Sequence, residues 1–267
     1  MKNMKKILAL LMTGAMVVGF ASCGKSDDKK ATENNDKNLV VGFDQNFPPF
    51  GYVGEDGEFT GFDIELAAAA ADKLGLEVVY QPIDWDAKDM ELSSGTIDCI
   101  WNGFTLNGRE DDYAWSDPYM NNAQVFVVRS DAGIESETDL AGKIVDVQKE
   151  SSAETALNSD DNKALTASFN QLIPVADYNT AMMDLESGAV DAVAMDKFVA
   201  LDQTKDKADT FKVLDYEISS EQYAVGFEKN NTELRDKVNE ALKEMNADGT
   251  FAKISEKYFG ENVSILK

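Results

Sequence analysis

Two stretches of this chain nearly repeat one another: Leu92-Ser-Ser-Gly-Thr-Ile-Asp98 and Leu185-Glu-Ser-Gly-Ala-Val-Asp191. Each follows a helix-like pattern and leads into a short apolar run. Before the first, the pattern gives a strand over residues 39–43 ending at Asp44, then a Pro-Pro turn and a helix capped by Asp63 and stopped at Gly75. A strand over 77–83, a short helix over 87–92 and a strand over 97–101 follow. Around the second the order recurs: strand 143–148, a helix opening at Ala153, strand 172–175, helix 180–186 and strand 190–195. Strands alternating with helices form parallel βαβ units, so the chain is expected to be α/β, with two like lobes.

Toward the C-terminus, Leu234, Val238, Ala241, Leu242 and Met245 make one apolar helical face that ends at Gly249, and Phe251, Ile254 and Tyr258 continue on a last helix. The N-terminus reads as processing signal. Lys2, Lys5 and Lys6 precede an apolar run, 7–20, shorter than the roughly 20 residues that span a bilayer. Residues 24–38 are polar, charged and free of aromatics, a composition that cannot offset ordering entropy, so they read as a tether.

Charge and chemistry exclude much. Removing residues 1–22 takes away three lysines and leaves 22 basic against 49 acidic residues, a charge of −27. That disfavours nucleic acid and anionic lipid headgroups as partners. There is no histidine, no activated cysteine, no G-x-S-x-G and no metal-spaced cluster, so no catalytic residue, metal or cofactor is expected. Cys99, in a strand, reads as a small core residue.

The stretch from Ile97 to Tyr119 concentrates the polar chemistry. A short apolar strand breaks at Asn102-Gly103 into a turn-rich loop that ends on Arg109. A guanidinium on a loop beyond a strand's carboxyl end suits two-pronged capture of a carboxylate. The alternative is an arginine paired with Glu110, Asp111 or Asp112 on a solvated loop.

Gly103-Phe104-Thr105-Leu106-Asn107-Gly108-Arg109 followed by Trp115-Ser116-Asp117-Pro118-Tyr119 resembles the bacterial extracellular solute-binding proteins, family 3, which bind polar amino acids for ABC importers. One residue fewer separates Thr105 from Arg109 than in the common family spacing. The likeness extends through 42–52, 61–75 and 246–260. It implies a two-lobed periplasmic-binding-protein fold of type II, with lobe 1 formed by 39–119 and 223–267 and lobe 2 by 123–218. A two-strand hinge at 119–122 and 219–222 would join the lobes, and ligand would sit in the cleft. Small residues before Cys23 resemble a lipoprotein cleavage site, making Cys23 the lipidated first residue of an exported protein anchored on the outer face of the cell membrane.

The resemblance also assigns roles. Arg109, with Thr105, Ser151 and Ser152, would hold the ligand carboxylate; Ser151 and Glu154 have capping-box spacing, so plain helix capping is the other reading. Asp196 and the Gly103 carbonyl would hold the ammonium, against a simple helix cap at Asp196. Asp44, Phe47, Trp85 and Gln148 would form the side-chain pocket, with Asp44 favouring cationic or amide ligands. Phe50, Tyr52 and Trp101 read as core or rim. The expected partners are an ABC permease and ATPase, the protein itself being a monomer. The alternatives are a cyclohexadienyl or arogenate dehydratase on the same fold, a ligand-sensing domain, which would normally continue into a transmembrane helix beyond Lys267, and a structural lipoprotein.

Overall fold

The computed structural model describes residues 37–267; the expected signal peptide, most of the tether and Cys23 lie outside the described residues. Two five-stranded sheets carry the architecture. In the first, Asn38–Phe43 lies between Glu77–Pro82 and Cys99–Ile100, parallel to both. Gly226–Phe227 then adds antiparallel between Cys99–Ile100 and Ala114–Trp115. In the second, Ile144–Gln148 lies between Gln171–Val175 and Ala192–Asp196, again parallel. Met120–Arg129 adds antiparallel, followed by Phe211–Tyr223. Both sheets therefore share one order, in which the first strand of the βαβ unit is central and an antiparallel strand joins beside the third. The fold is the two-lobed, type II arrangement. Asn46–Phe47, Gly51–Val53 and Phe59–Thr60 form a small third sheet.

The repeated motif has the same job in each lobe. Gly95 and Gly188 end their helices in the left-handed conformation, at φ 76° and 79°. Three residues on, Asp98 accepts from the Val40 amide at 2.8 Å, and Asp191 accepts from the Ile144 amide at 2.9 Å. Each aspartate thus clasps the central strand just where the third strand begins, which aligns the carboxyl ends of the parallel strands that carry the polar residues.

The helix Phe62–Leu74 buries Phe62, Ile64, Leu66, Ala67, Ala70 and Ala71 and stops at Gly75, which is left-handed at φ 68°. Asp63 does not cap it. The cap position is Gly61, and Asp63 lies inside the first turn with its carboxylate fully buried. There it accepts from the Gly103 amide and from the Tyr119 hydroxyl at 2.9 Å, so the side chain serves the turn at Gly103 instead of its own helix. The C-terminal helices Thr232–Asp248 and Thr250–Phe259 pack back on the first lobe, where Phe62 meets Phe251 and Phe259 at 5.6 and 4.9 Å. Cys99 is a buried free thiol in the core. The short helix Lys163–Ser168 stands where the sequence pattern gave none, and Lys197–Thr204 follows Asp196 as the capping alternative there implied.

Candidate functional site

Beyond Ile100 the chain turns sharply. Asn102 accepts the Asp44 amide on its Oδ1 at 3.0 Å, which ties this turn to the end of the central strand. Gly103 is left-handed at φ 54°, and a Cβ there would stand 2.9 Å from the Phe47 ring and 3.2 Å from that of Tyr223. Glycine is required by both the backbone and the space. The shortened loop after Thr105 is held by the second long strand: the Leu106 amide donates to the Gln222 carbonyl at 3.0 Å and the Gln222 amide to Asn107 Oδ1 at 2.8 Å.

Between the lobes lies a narrow, nearly closed cavity of about 10 Å³. Asp44, Phe47, Trp85, Asn102 and Gly103 line it from the first lobe, and Gln148, Ser151, Ser152 and Asp196 from the second. Trp85 is braced edge-on by Phe104 at 5.4 Å, while Phe47 faces Tyr178 of the opposite lobe at 5.9 Å. Phe50 and Trp101 are fully buried in the core. Asp44 accepts its own turn amide, from Asn46, at 2.8 Å and the Gln148 side chain across the cleft at 2.8 Å. Burial holds its carboxyl above the usual carboxylate range, against the pull of those hydrogen bonds.

Arg109 and Thr105 are not on this wall. The Arg109 guanidinium reaches across to the second lobe, donating to Ser152 Oγ at 3.1 Å and to the Glu150 carbonyl at 3.2 Å, and back to the Thr105 carbonyl at 3.3 Å. It therefore bonds none of the neighbouring acidic side chains considered from sequence. Its face lies over the Phe104 ring at 5.4 Å, and the Thr105 hydroxyl is buried without a hydrogen-bond partner. Ser151 caps the helix Ser152–Leu157 by accepting the Glu154 amide at 3.1 Å. The return half of the box is displaced: Glu154 accepts from Glu150, at 2.6 Å, because the Ser151 amide is already taken by the Gln148 carbonyl. Glu150 itself is left-handed at φ 60°.

Asp196 occupies the cap position of Lys197–Thr204 without capping it. Its carboxylate turns instead into a buried polar group that sequence reasoning missed. Oδ1 accepts from Asn122 at 3.0 Å, Gln124 at 2.8 Å and the Tyr223 hydroxyl, while Oδ2 faces the Tyr178 hydroxyl at 3.5 Å. Glu221 takes the same two amides at 2.7 Å each. The signal available was alternation along the two long strands, where polar Asn122, Gln124 and Glu221 fall at inward positions.

The profile of the bacterial extracellular solute-binding proteins, family 3, matches residues 39–261. The chain is 32% identical over 264 residues to an L-cystine-binding protein of Escherichia coli, covering 97% of each. It is also 32% identical over 275 residues to an L-cystine-binding protein of Bacillus subtilis, covering 98% of this chain and all of that one. A histidine-bound ABC uptake transporter substrate-binding protein from Streptococcus pneumoniae superposes with a TM-score of 0.82 at 36% identity, covering 86% of this chain and 95% of that one. On these grounds the chain belongs to the bacterial extracellular solute-binding proteins, family 3.

Proposed function

We propose that this protein captures a single polar amino acid between its lobes and delivers it to the permease and ATPase of an ABC importer. The observation that carries the reading is the cavity itself. It is lined by a carboxylate, Asp196, by a serine-bearing helix start backed by Arg109, and by aromatic walls. An α-amino acid needs those three features together: an acceptor for its ammonium, donors for its carboxylate and an apolar wall for its side-chain stem. Arg109 is held beside Ser152, from where its guanidinium can take the ligand carboxylate together with Ser151 and Ser152. Asp196 and the Gly103 carbonyl take the ammonium.

Asp44 and Gln148 meet the far end of the side chain, flanked by Phe47 and Trp85. An acceptor there favours ligands whose side chain ends in N–H donors: a guanidinium, an imidazolium, an amide or the second ammonium of cystine. Each polar group on the wall then has a recognition role, so the protein is a binder and not an enzyme. Closure would pivot at 119–122 and 219–222, and a lipid on Cys23 would keep the monomer at the cell surface.

The test is thermal unfolding of residues 24–267, refolded to remove carried ligand, against the common amino acids plus cystine, ornithine and citrulline. A ligand that binds only the folded state adds about 2.7 kcal/mol at one hundred times its Kd. A shift with polar amino acids that disappears in Arg109→Ala and Asp196→Ala supports the reading. The absence of any shift would overturn it.

A further inference from the structure

The two carboxylates beneath the cavity are arranged as a pair. Asp196 ends the strand Ala192–Asp196, and Glu221 stands near the end of Phe211–Tyr223; both are buried, at 4% and 5% exposure. Asn122 and Gln124 project between them from Met120–Arg129. Each amide nitrogen bonds both Asp196 Oδ1 and Glu221 Oε1. Two nitrogens shared by the same two oxygens bring the carboxylates into direct electrostatic contact. The amide oxygens Asn122 Oδ1 and Gln124 Oε1 are left buried without partners, so both amides turn their N–H groups to the acids at the expense of their own oxygens.

Among the described residues, the surroundings supply no neutralising cation. Of the charged residues on neighbouring elements, Lys197 bonds Glu217 at 3.0 Å, and Arg109 bonds Ser152 and the Glu150 carbonyl. Tyr178 and Tyr223 face Asp196 with hydroxyls, which donate but carry no charge. Two ionised carboxylates buried together without a cation repel strongly, and one of them keeps its proton. The division of donors says which. Asp196 Oδ1 takes three, the two amides and the Tyr223 hydroxyl, whereas Glu221 takes only the two amides, on Oε1, with the otherwise unpartnered Thr105 hydroxyl facing its carboxyl group.

We propose that Glu221 is a second carboxylate of the ammonium site, holding a proton while the cleft is empty and releasing it to solvent when an amino acid's ammonium reaches Asp196. The inference rests on the capture reading above. In the empty protein, burial and then the Asp196 charge push the Glu221 carboxyl up to about 8. An arriving cation offsets that repulsion and lowers the value. The empty state then binds one more proton than the complex over the interval between the two values, so acid favours the empty state. Affinity rises with pH, by at most about tenfold per unit, and levels off above about 8. Glu221 is thus a positioning residue, which touches the ligand's charge through Asp196 and the shared amides.

Calorimetry tests this on residues 24–267 with L-arginine, L-histidine, L-glutamine and L-cystine, taking whichever binds most tightly as the probe. Titrations at pH 7 in phosphate and in Tris, whose ionisation enthalpies differ, count the protons released. Wild-type protein should release up to one proton per ligand. Glu221→Gln, which mimics the protonated acid, should still bind, release none and lose the pH dependence. Release that is absent in the wild type, or unchanged in Glu221→Gln, would overturn the proposal while leaving the capture reading intact. Failure of all four probes to bind would remove the capture reading and this proposal with it. If Glu221→Gln does not fold, carboxyl-¹³C glutamate NMR of the wild type decides. One glutamate should titrate near 8 when empty and return toward the ordinary range with probe bound; no such glutamate would overturn the proposal.

Discussion

The side-chain amide of Gln148 donates to the carboxylate of Asp44 at 2.8 Å, and these two residues belong to opposite lobes. A buried carboxylate of one lobe is therefore held by a side chain of the other. A charge-assisted hydrogen bond contributes about 1.5–3 kcal/mol, or tenfold to more than a hundredfold in affinity. Asp44→Asn should weaken L-arginine binding by that range and change L-glutamine binding by only a few-fold, as read by calorimetry. Equal losses for both would mean Asp44 does not meet the ligand's far end.

Arg109 joins a loop of the first lobe to the helix start of the second through Ser152 and the Glu150 carbonyl. A lysine has neither the fork nor the reach to hold those acceptors and a carboxylate together. Arg109→Lys and Arg109→Ala should both weaken binding by about a hundredfold or more, since the site loses a two-pronged contact. Because Arg109 is only half-buried, the melting temperature of the empty protein should hardly move.

Lys149 and Asp86 form an ion pair at 2.7 Å across the cleft rim, with both side chains half exposed. Exposed pairs are weak and are screened by salt. Lys149→Ala should therefore cost only a few-fold in affinity, expressed as faster ligand release. The deficit should vanish near 1 M salt in stopped-flow measurements, where the Debye length is about 3 Å.

Asp63 should impose a pH dependence on stability. Burial raises its carboxyl from the ordinary 3.8 to about 7, despite the bonds from Gly103 and Tyr119. Between those values the folded state holds a proton that the unfolded chain has lost. The group therefore favours folding at acid pH, and its contribution declines as pH rises from about 4 toward 7. Asp63→Asn keeps an acceptor for Gly103 and removes the ionisation. Relative to wild type, this variant should gain stability from pH 5 to about 7 and level off above it in denaturant melts. A difference that does not vary with pH would show that Asp63 is ionised throughout.

Gly103→Ala should lose at least tenfold in affinity and about 1–3 kcal/mol in stability, because its Cβ needs both a left-handed backbone and space held by the Phe47 and Tyr223 rings. Gly108→Ala is the control. Gly108 is also left-handed, at φ 80°, but its added methyl would meet nothing within 4 Å, so binding should survive.

Much of the frame was legible because it rests on local chemistry. Helix stops at Gly75, Gly188 and Gly249 and the apolar face around Val238 and Leu242 are written in residues close in sequence. The residues on the cavity wall also lie at strand ends, where βαβ order puts them. What escaped notice depends on partners far along the chain. Asp63 reads as a helix cap until Gly103 is brought beside it, 40 positions away. For Asp196, assigned to the ammonium by resemblance with a helix cap as the alternative, the buried partners are set only when Asn122 and Gln124 arrive from another strand. Glu221 gave only the weak signal of its inward position on a long strand, since a lone acid in so acidic a chain looks like surface.

The sheet of the second lobe is drawn wholly from residues 120–223, whereas that of the first needs Gly226–Phe227 to pair with Cys99–Ile100. During synthesis or export the chain therefore presents the first lobe unfinished, with Cys99–Ile100 an open edge, until the whole second lobe has emerged. The contiguous lobe can close its loops early at low entropic cost, while the split one waits for a long-range return. The later half of the chain should thus be the first to protect its amides, and the earlier half the one exposed to proteases and to wrong strand partners in the interval.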